Sequence, residues 1–482
     1  MNRINKLSLI VTTMANNGNE RYRRLLNDIR EAVAGTEQDF TSGSLGRAIF
    51  LLSVPMVLEM MMESIFAIAD IYFVGRISTQ AVATVGITES LITLVYAFGV
   101  GFSMATTAMV SRRIGQKDRE GASVAAFQSI VTGLVISLAI AIPGMIYASD
   151  LLKLMGASEE IYSDMSTYTA IMLGGNAVIM LLFIINAVFR SAGDAAISMR
   201  VLLLANGLNI ILDPILIFGL GPIPALGITG AAIATNTGRG VAVIYQLYLL
   251  FRGNKRVKLM ARHIEVNLVM IRKLVRISLG GIGQYIIATS SWIFLMRIMA
   301  EFGDHAVAGY TIAIRVIIFT LLPSWGISNA AATLVGQNLG AGLPDRAQQA
   351  VWSTGKINMV LMGLIGLVLF FMPGTFIELF TAEPDVITNG ILCLRVMSLG
   401  FILYGLGMVL VQALNGAGDT YTPTKINFFC FWLIEIPLAY MLAKMTALDA
   451  QGVYMAIVIS ESLMTLVALW YFRRGKWKLK SV

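Results

Sequence analysis

The chain has 482 residues, of which 57% are hydrophobic and 13% charged, with a formal net charge of +8. Soluble domains carry about 25% charged residues, so a chain this apolar, with a mean hydropathy of +0.75, has too little polar surface to cover itself in water, and the bilayer is the solvent that fits. Cys393 and Cys430 lie inside apolar runs, and no CxxC, HExxH or GxxxxGK[ST] pattern occurs, which argues against a disulfide scaffold, a zinc enzyme and a built-in ATPase.

Residues 1–46 are polar and read as a cytoplasmic tail, whose centre from Arg21 to Phe40 has the spacing of a short amphipathic helix. The first long apolar run, from about residue 48, is too long for the core of a secretory signal. Apolar runs of the length of a membrane span follow at 48–73, 83–110, 122–148, 166–189, 196–218, 226–250, 272–298, 306–335, 348–372, 388–414, 422–444 and 451–472. The expected fold is therefore an all-α integral membrane protein with about twelve transmembrane helices. Short connections carry Gly, Pro or Asp, while residues 251–271 form a longer basic linker and 473–482 a basic tail. His263 and His305 fall in connections, where a solvated role is expected.

Orientation follows from the loops, since Lys and Arg accumulate on the cytoplasmic side. Alternate connections and the two termini carry 27 Lys and Arg on one side; Arg76, Lys153 and Lys444 stand on the other. Both termini are thus expected in the cytoplasm, in a plasma (inner) membrane. The positive charge needs no nucleic-acid partner.

One spacing recurs along the chain. Ala192-Gly193-Asp194 matches Ala417-Gly418-Asp419, Arg47 matches Arg272, Ser53 Ser278, Val110 Val335, Gly115 Gly340 and Ala122 Ala347, each 225 residues apart. Residues 47–250 and 272–472 are two copies of a six-helix unit. Because six is even, both copies enter the membrane in the same direction, and they form two parallel-repeat lobes around a central cleft. Rocking of such lobes gives alternating access, and a single chain with its own two lobes is expected to work as a monomer.

Ionisable side chains in hydrocarbon cost at least ~2.5–3.5 kcal/mol each and are functional candidates by default. The acids are Glu59, Glu63, Asp70, Glu89, Asp213, Glu435 and Glu461; the bases are Arg239, Arg297, Arg315 and Arg395, whose roles the pattern leaves open. Glu59, Glu63 and Asp70 share one face of the first helix with Pro55, which removes a backbone hydrogen bond and marks a hinge. The plainer reading, that an acid only pairs with a buried arginine, suits Glu59 best and Asp70 least. In the fifth helix Asn209 and Asp213 are one turn apart, with Pro214 following. Asp70 and Asp213 should lie at similar depth, and two buried carboxylates close together cannot both stay ionised cheaply. Such a pair takes up a proton or a hard cation that prefers oxygen. The repeat mates of both, Leu295 and Leu438, are apolar. Glu435 and Glu461 are expected to neutralise some arginines of the second lobe.

On these residues the chain resembles the multidrug and toxic compound extrusion (MATE) transporters, most closely their DinF branch. The resemblance rests on Pro55 through Asp70-Ile-Tyr-Phe-Val-Gly75, Asn186 through Asp194, Asn209 to Pro214, Gly230-Ala-Ala-Ile-Ala-Thr235, Val335 to Gly340 and Asn415 to Asp419, in that order. It implies an antiporter that expels small cationic or lipophilic compounds in exchange for H+ or Na+, without a cofactor. The coupling site it implies is Asp70, Asn209, Asp213 and Thr235, which would also be the place for a Na+, with Glu63, Tyr168 and Asn186 as network neighbours. Glu63 departs from the family pattern, where a neutral polar residue is expected. A lipid-linked or other amphiphile flippase and a major-facilitator-type exporter are the alternatives. An enzyme would need converging nucleophiles or metal ligands, and two loop histidines do not supply them.

Overall fold

In the computed structural model, which describes residues 26–35, 38–253 and 256–482, the chain is helical throughout, with no β-strand among the described residues. Twelve long helices stand where the apolar runs fall: α1 Leu45–Val74, α2 Thr79–Gly115, α3 Arg119–Ile146, α4 Ser166–Ala192, α5 Ala195–Phe218, α6 Ile228–Arg252, α7 Leu268–Met299, α8 Asp304–Gly340, α9 Pro344–Phe371, α10 Pro384–Ser398 continued by Phe401–Gly416, α11 Tyr421–Lys444 and α12 Ala450–Arg473. Ten are individually long and apolar enough to cross a membrane, and α10, bent by 58° between its halves, makes an eleventh. The remaining one, α6, is 25 residues long but carries Thr235, Asn236, Arg239 and Gln246, so its inward face is polar. Exposed Leu134, Val135, Leu138 and Ile142 on α3 and Val360, Leu364, Leu367 and Phe371 on α9 form the lipid-facing stripes that would be a solubility fault in water.

The packing repeats with the sequence. In the first lobe (the N-lobe) α1 packs on α5, α2 on α4, α3 on α4 and α5 on α6; in the second (the C-lobe) α8 packs on α10, α9 on α10 and α11 on α12. Between lobes, α1 lies on α8 and α2 on α7, and these two contacts exchange under the repeat. Near the ends of α2 and α8 the crossing is so tight that only glycine fits. A Cβ on Gly115 would lie 1.9 Å from the Gln337 carbonyl oxygen, and one on Gly340 would lie 2.1 Å from that of Arg112. Gly115 and Gly340 are mates, and so are Arg112 and Gln337. Gly193 and Gly418, another pair of mates, both take left-handed backbone, with φ of 95° and 85°, and close α4 and α10.

Residues 26–43 and the C-terminal segment pack at this closed end. The tail expected over 1–46 is not simply solvated: residues 26–34 are helical, and Ala32 and Phe40 are buried among Leu52 and Met56 of α1, Ala195 of α5, Leu334 of α8 and Ala350 of α9. Arg200 donates to the Ala34 carbonyl and Arg256 to that of Gln38, each at 2.8 Å, while Arg346 of the other lobe donates to Ser42 at 2.8 Å and Gly43 at 3.0 Å. The first 25 residues lie outside those described. At the other terminus Trp477 is buried against Phe472, and Arg112 of α2 donates to the Lys480 carbonyl at 2.8 Å. The basic linker docks on α3, where Gln128 donates to the Glu265 carbonyl at 2.6 Å. His263, expected to be solvated, is buried there with Nε2 2.6 Å from Glu120, because the linker folds back on the lobe. His305 is half-exposed and pairs with Glu383 at 2.9 Å.

Candidate functional site

The polar interior of the first lobe falls into two groups. The first is built by α1, α4, α5 and α6. Asn209 and Asp213, one turn apart on α5, face Thr235 on α6, and all three are buried. Turned so that each donor meets an acceptor, the Asn209 amide donates to Asp213 Oδ2 at 2.8 Å, and its oxygen accepts from the Thr235 hydroxyl and backbone N–H, each at 3.1 Å. Asp70 of α1, also buried, is within electrostatic reach of Asp213 and of Glu89 on α2 and Arg239 on α6. Tyr168, buried on the first segment of α4, is within reach of Asp70 and Glu89. The Arg239 guanidinium is bridged to Glu63 at 3.4 Å and lies over the Phe66 ring. Arg239, the base within electrostatic reach of Asp70 among the described residues, is thus shared with Glu63. A carboxylate pair with a neutral amide and hydroxyl beside it can take up a proton or a small cation and release it as its surroundings change.

The second group lies nearer the closed end. Arg190 of α4 forms a buried ion pair with Glu59 of α1 at 2.9 Å, and the Asn186 amide donates to Glu59 Oε1 at 3.4 Å and accepts from Gln246 at 2.6 Å. Asn186 thus belongs with Glu59 and Arg190, not in hydrogen-bonding contact with Asp70 or Asp213. Arg190 also lines a polar cavity between the lobes with Ser103 and Thr107 on one side and Asn329, Gln412 and Asn415 on the other.

Four expected site residues, Asp70, Asn209, Asp213 and Thr235, are brought together with Tyr168. Pro55 lies inside α1, which runs as one helix of 30 residues. Glu89 and Arg239 join the group although the pattern assigned them no place in it; their signal was ionisability inside a span. Arg190 was missed because it stands at a helix end and was counted with the loop cations; its spacing of four from Asn186 was the available signal. Arg315 is exposed on a membrane-spanning helix and within electrostatic reach of Glu89, so the cleft between α2 and α8 carries both signs of charge. Arg297 and Arg395 are exposed, with Arg395 donating to the Phe370 carbonyl at 3.4 Å. The expected pairing of Glu435 and Glu461 with these arginines does not occur among the described residues: Glu435 is buried deep in the C-lobe, and its charged neighbour is Glu461.

Two parallel six-helix lobes, a cleft between them and a buried polar site inside one lobe define a secondary transporter. The MatE family model matches residues 55–215 and again 282–441, more than half of the chain and once per repeat. The chain belongs to the MatE family, whose members are transporters and not enzymes. It is 25% identical over 438 residues to a probable multidrug resistance protein NorM of Thermotoga maritima, covering 90% of this chain and 94% of that one. It is 26% identical over 433 residues to a FAD transporter of Shewanella oneidensis, covering 90% and 95%. Among solved structures it is similar to a MOP superfamily transporter from Pyrococcus furiosus, described as having a binding pocket of reversed polarity, with a TM-score of 0.86, 25% identity and coverage of 92% and 98%. The family match sets aside the major-facilitator alternative.

Proposed function

We propose that this transporter is an antiporter that exports small cationic or lipophilic compounds by alternating access, driven by H+ or Na+ bound at Asp70, Asn209, Asp213 and Thr235. The observation that carries the reading is the buried carboxylate pair, Asp70 and Asp213, in electrostatic reach of each other while the nearby Arg239 is bridged to Glu63. Buried carboxylates in hydrocarbon persist where their protonation or cation binding is part of the work. The basic loops support a plasma (inner) membrane location with both termini in the cytoplasm. The tight crossing of α2 and α8 then closes the cytoplasmic side, and the cleft with Glu89 and Arg315 opens outward. The self-contained two lobes support a monomer in contact with lipid. The test is efflux of the cationic dye ethidium from proteoliposomes, driven separately by proton and sodium gradients. One gradient should drive efflux, and Asp70→Asn and Asp213→Asn should each abolish it; dye movement indifferent to both variants would sink the site, and none under either gradient would sink the drug-export reading.

A second reading is export of an anionic amphiphile, favoured by Arg315 exposed inside the membrane on the cleft and by the named substrate of the Shewanella relative. The same vesicles loaded with FAD distinguish it, since that reading requires FAD efflux that falls in Arg315→Gln.

A further inference from the structure

The C-lobe holds an ionisable cluster with no part in the site described. Glu435 of α11 is buried, with 3% of its surface exposed, and makes no hydrogen bond or ion pair to a described residue. Glu461 of α12 is within its electrostatic reach, and Glu461 Oε2 is buried without a partner. Two further buried polar atoms beside them also lack partners, the hydroxyls of Tyr310 on α8 and Tyr454 on α12. Those two rings stack at 6.0 Å, and Tyr310 is in electrostatic reach of Glu435. Buried polar groups are ordinarily satisfied, and each orphan requires an explanation. Three such atoms, around two carboxylates, point to something the protein binds there.

The repeat says where this cluster lies. The mates of Asn209 and Thr235 are Ile434 and Ser460, so Glu435 and Glu461 each stand one residue beyond the position of a site residue in the other lobe. The mate of Tyr168 is Cys393, which is in electrostatic reach of Tyr310 and Tyr454. On α11 the segment Phe428–Glu435 is π-helical. A π segment holds an extra residue per turn and shifts the face that later residues present. It ends on Glu435, so the local winding of α11 turns inward a residue that a regular helix would have carried elsewhere on its surface.

We propose that Glu435 and Glu461 form a second proton-carrying site, placed in the C-lobe where the repeat puts the counterpart of the Asp70–Asp213 site. Two carboxylates in a nonpolar interior cannot both remain ionised without a counter-charge. The other titratable groups in electrostatic reach of the pair are Tyr310 from α8, Tyr404 from α10 and Cys430 from α11; none is a base. From α7, which also packs on this segment, the Ile287 carbonyl accepts from Trp432 at 3.3 Å, and among the described residues no cation reaches the pair. A proton taken up from water settles on one carboxylate oxygen of the pair and is later released from it. Tyr454 lies two turns from Glu461, about 10 Å along α12, toward the end opposite the C-terminal segment. The proposal gives the antiport reading a second ion per cycle, and it rests on that reading for its meaning but not for its test.

The test is infrared difference spectroscopy of the purified full-length protein in lipid through a pH jump, reading the carbonyl stretch of protonated carboxyl groups. In Asp70→Asn/Asp213→Asn, which removes the N-lobe pair, a titrating buried carboxyl band should remain. Adding Glu435→Gln should remove that band and adding Glu461→Gln should shift or remove it. An unchanged helical amide band reports that each variant is folded. Glu435→Gln on the wild-type background should keep the N-lobe band, a second control on folding. A band that survives both Gln variants, or no band at all in the Asp70/Asp213 variant, overturns the proposal. So does loss of the band on adding Na+ at constant pH, which would make the pair a metal-cation site. Failure of dye efflux with the band intact would overturn the drug-export reading and leave the proton site standing.

Discussion

The two lobes share a backbone and differ in charge, and one pair of bridges makes the difference plain. In the first lobe Glu59 of α1 meets Arg190 of α4 as an ion pair at 2.9 Å. Their mates are Gln284 of α7 and Asn415 of α10, and these also meet, with the Gln284 amide donating to Asn415 Oδ1 at 2.9 Å and the Asn415 amide returning at 3.2 Å. The same link between the same two helices is ionic in one copy and neutral in the other. Likewise Asp70 and Asp213 have the apolar mates Leu295 and Leu438. Positions fixed by close approach, such as Gly115 and Gly340, stayed identical because one Cβ at either would strike backbone. Charge has no such steric demand, so each lobe could place its own acids where helices enclose them.

The largest expected effect tests whether ion coupling belongs to the first lobe's acids. Asp213→Asn and Asp70→Asn should abolish gradient-driven dye efflux, while Leu438→Ala and Leu295→Ala should retain it per folded molecule. Efflux counted against correctly inserted protein reads both; equal losses at acids and mates would reduce the contrast to stability. Next come the bridges. Glu59→Gln leaves the buried Arg190 cation uncompensated and should cost about 3–5 kcal/mol, whereas Gln284→Ala leaves the buried Asn415 amide oxygen without its donor while its N–H still donates to Gln412 at 3.0 Å, and should cost about 1–3 kcal/mol. Thermal unfolding in detergent ranks them, and a larger loss at Gln284 would contradict the ionic–neutral distinction. Glu59→Gln/Arg190→Met should recover much of the loss, since removing both charges removes the buried orphan.

Residues that speak through spacing alone were legible. The apolar runs gave all twelve helices, and the offset of 225 gave the lobes, because hydrophobic length and repeat register are local properties of a chain. Asp70, Asn209 and Asp213 were legible because each is an oxygen ligand inside an apolar run, whereas Thr235 came only from the family resemblance. What depends on the path of the backbone was not legible. The break of α4 at Gly175, the 58° bend in α10 and the π segment of α11 that ends on Glu435 leave no periodic trace. The docking of residues 26–43 was hidden for a related reason: a polar segment becomes structural only when Arg200 and Arg346, distant in sequence, arrive to satisfy its carbonyls.

The smallest effect tests the symmetry itself. Gly115→Ala and Gly340→Ala place a methyl group against equivalent carbonyl oxygens, those of Gln337 and Arg112, so they should destabilise the closed crossing equally, by about 1–3 kcal/mol each as in other overpacked contacts. The double variant should cost less than the sum, because moving the helices apart for one methyl makes room for the other. Distances between spin labels on the tips of α2 and α8 opposite the closed crossing, with the unfolding temperature of each variant, measure both quantities. Equal single effects with less-than-additive coupling would show that the crossing acts as one two-fold contact. A strongly unequal pair would mean that the lobes, although alike in backbone, bear the closed end unequally, with the terminal segments around Phe40 and Trp477 holding one side more firmly than the other.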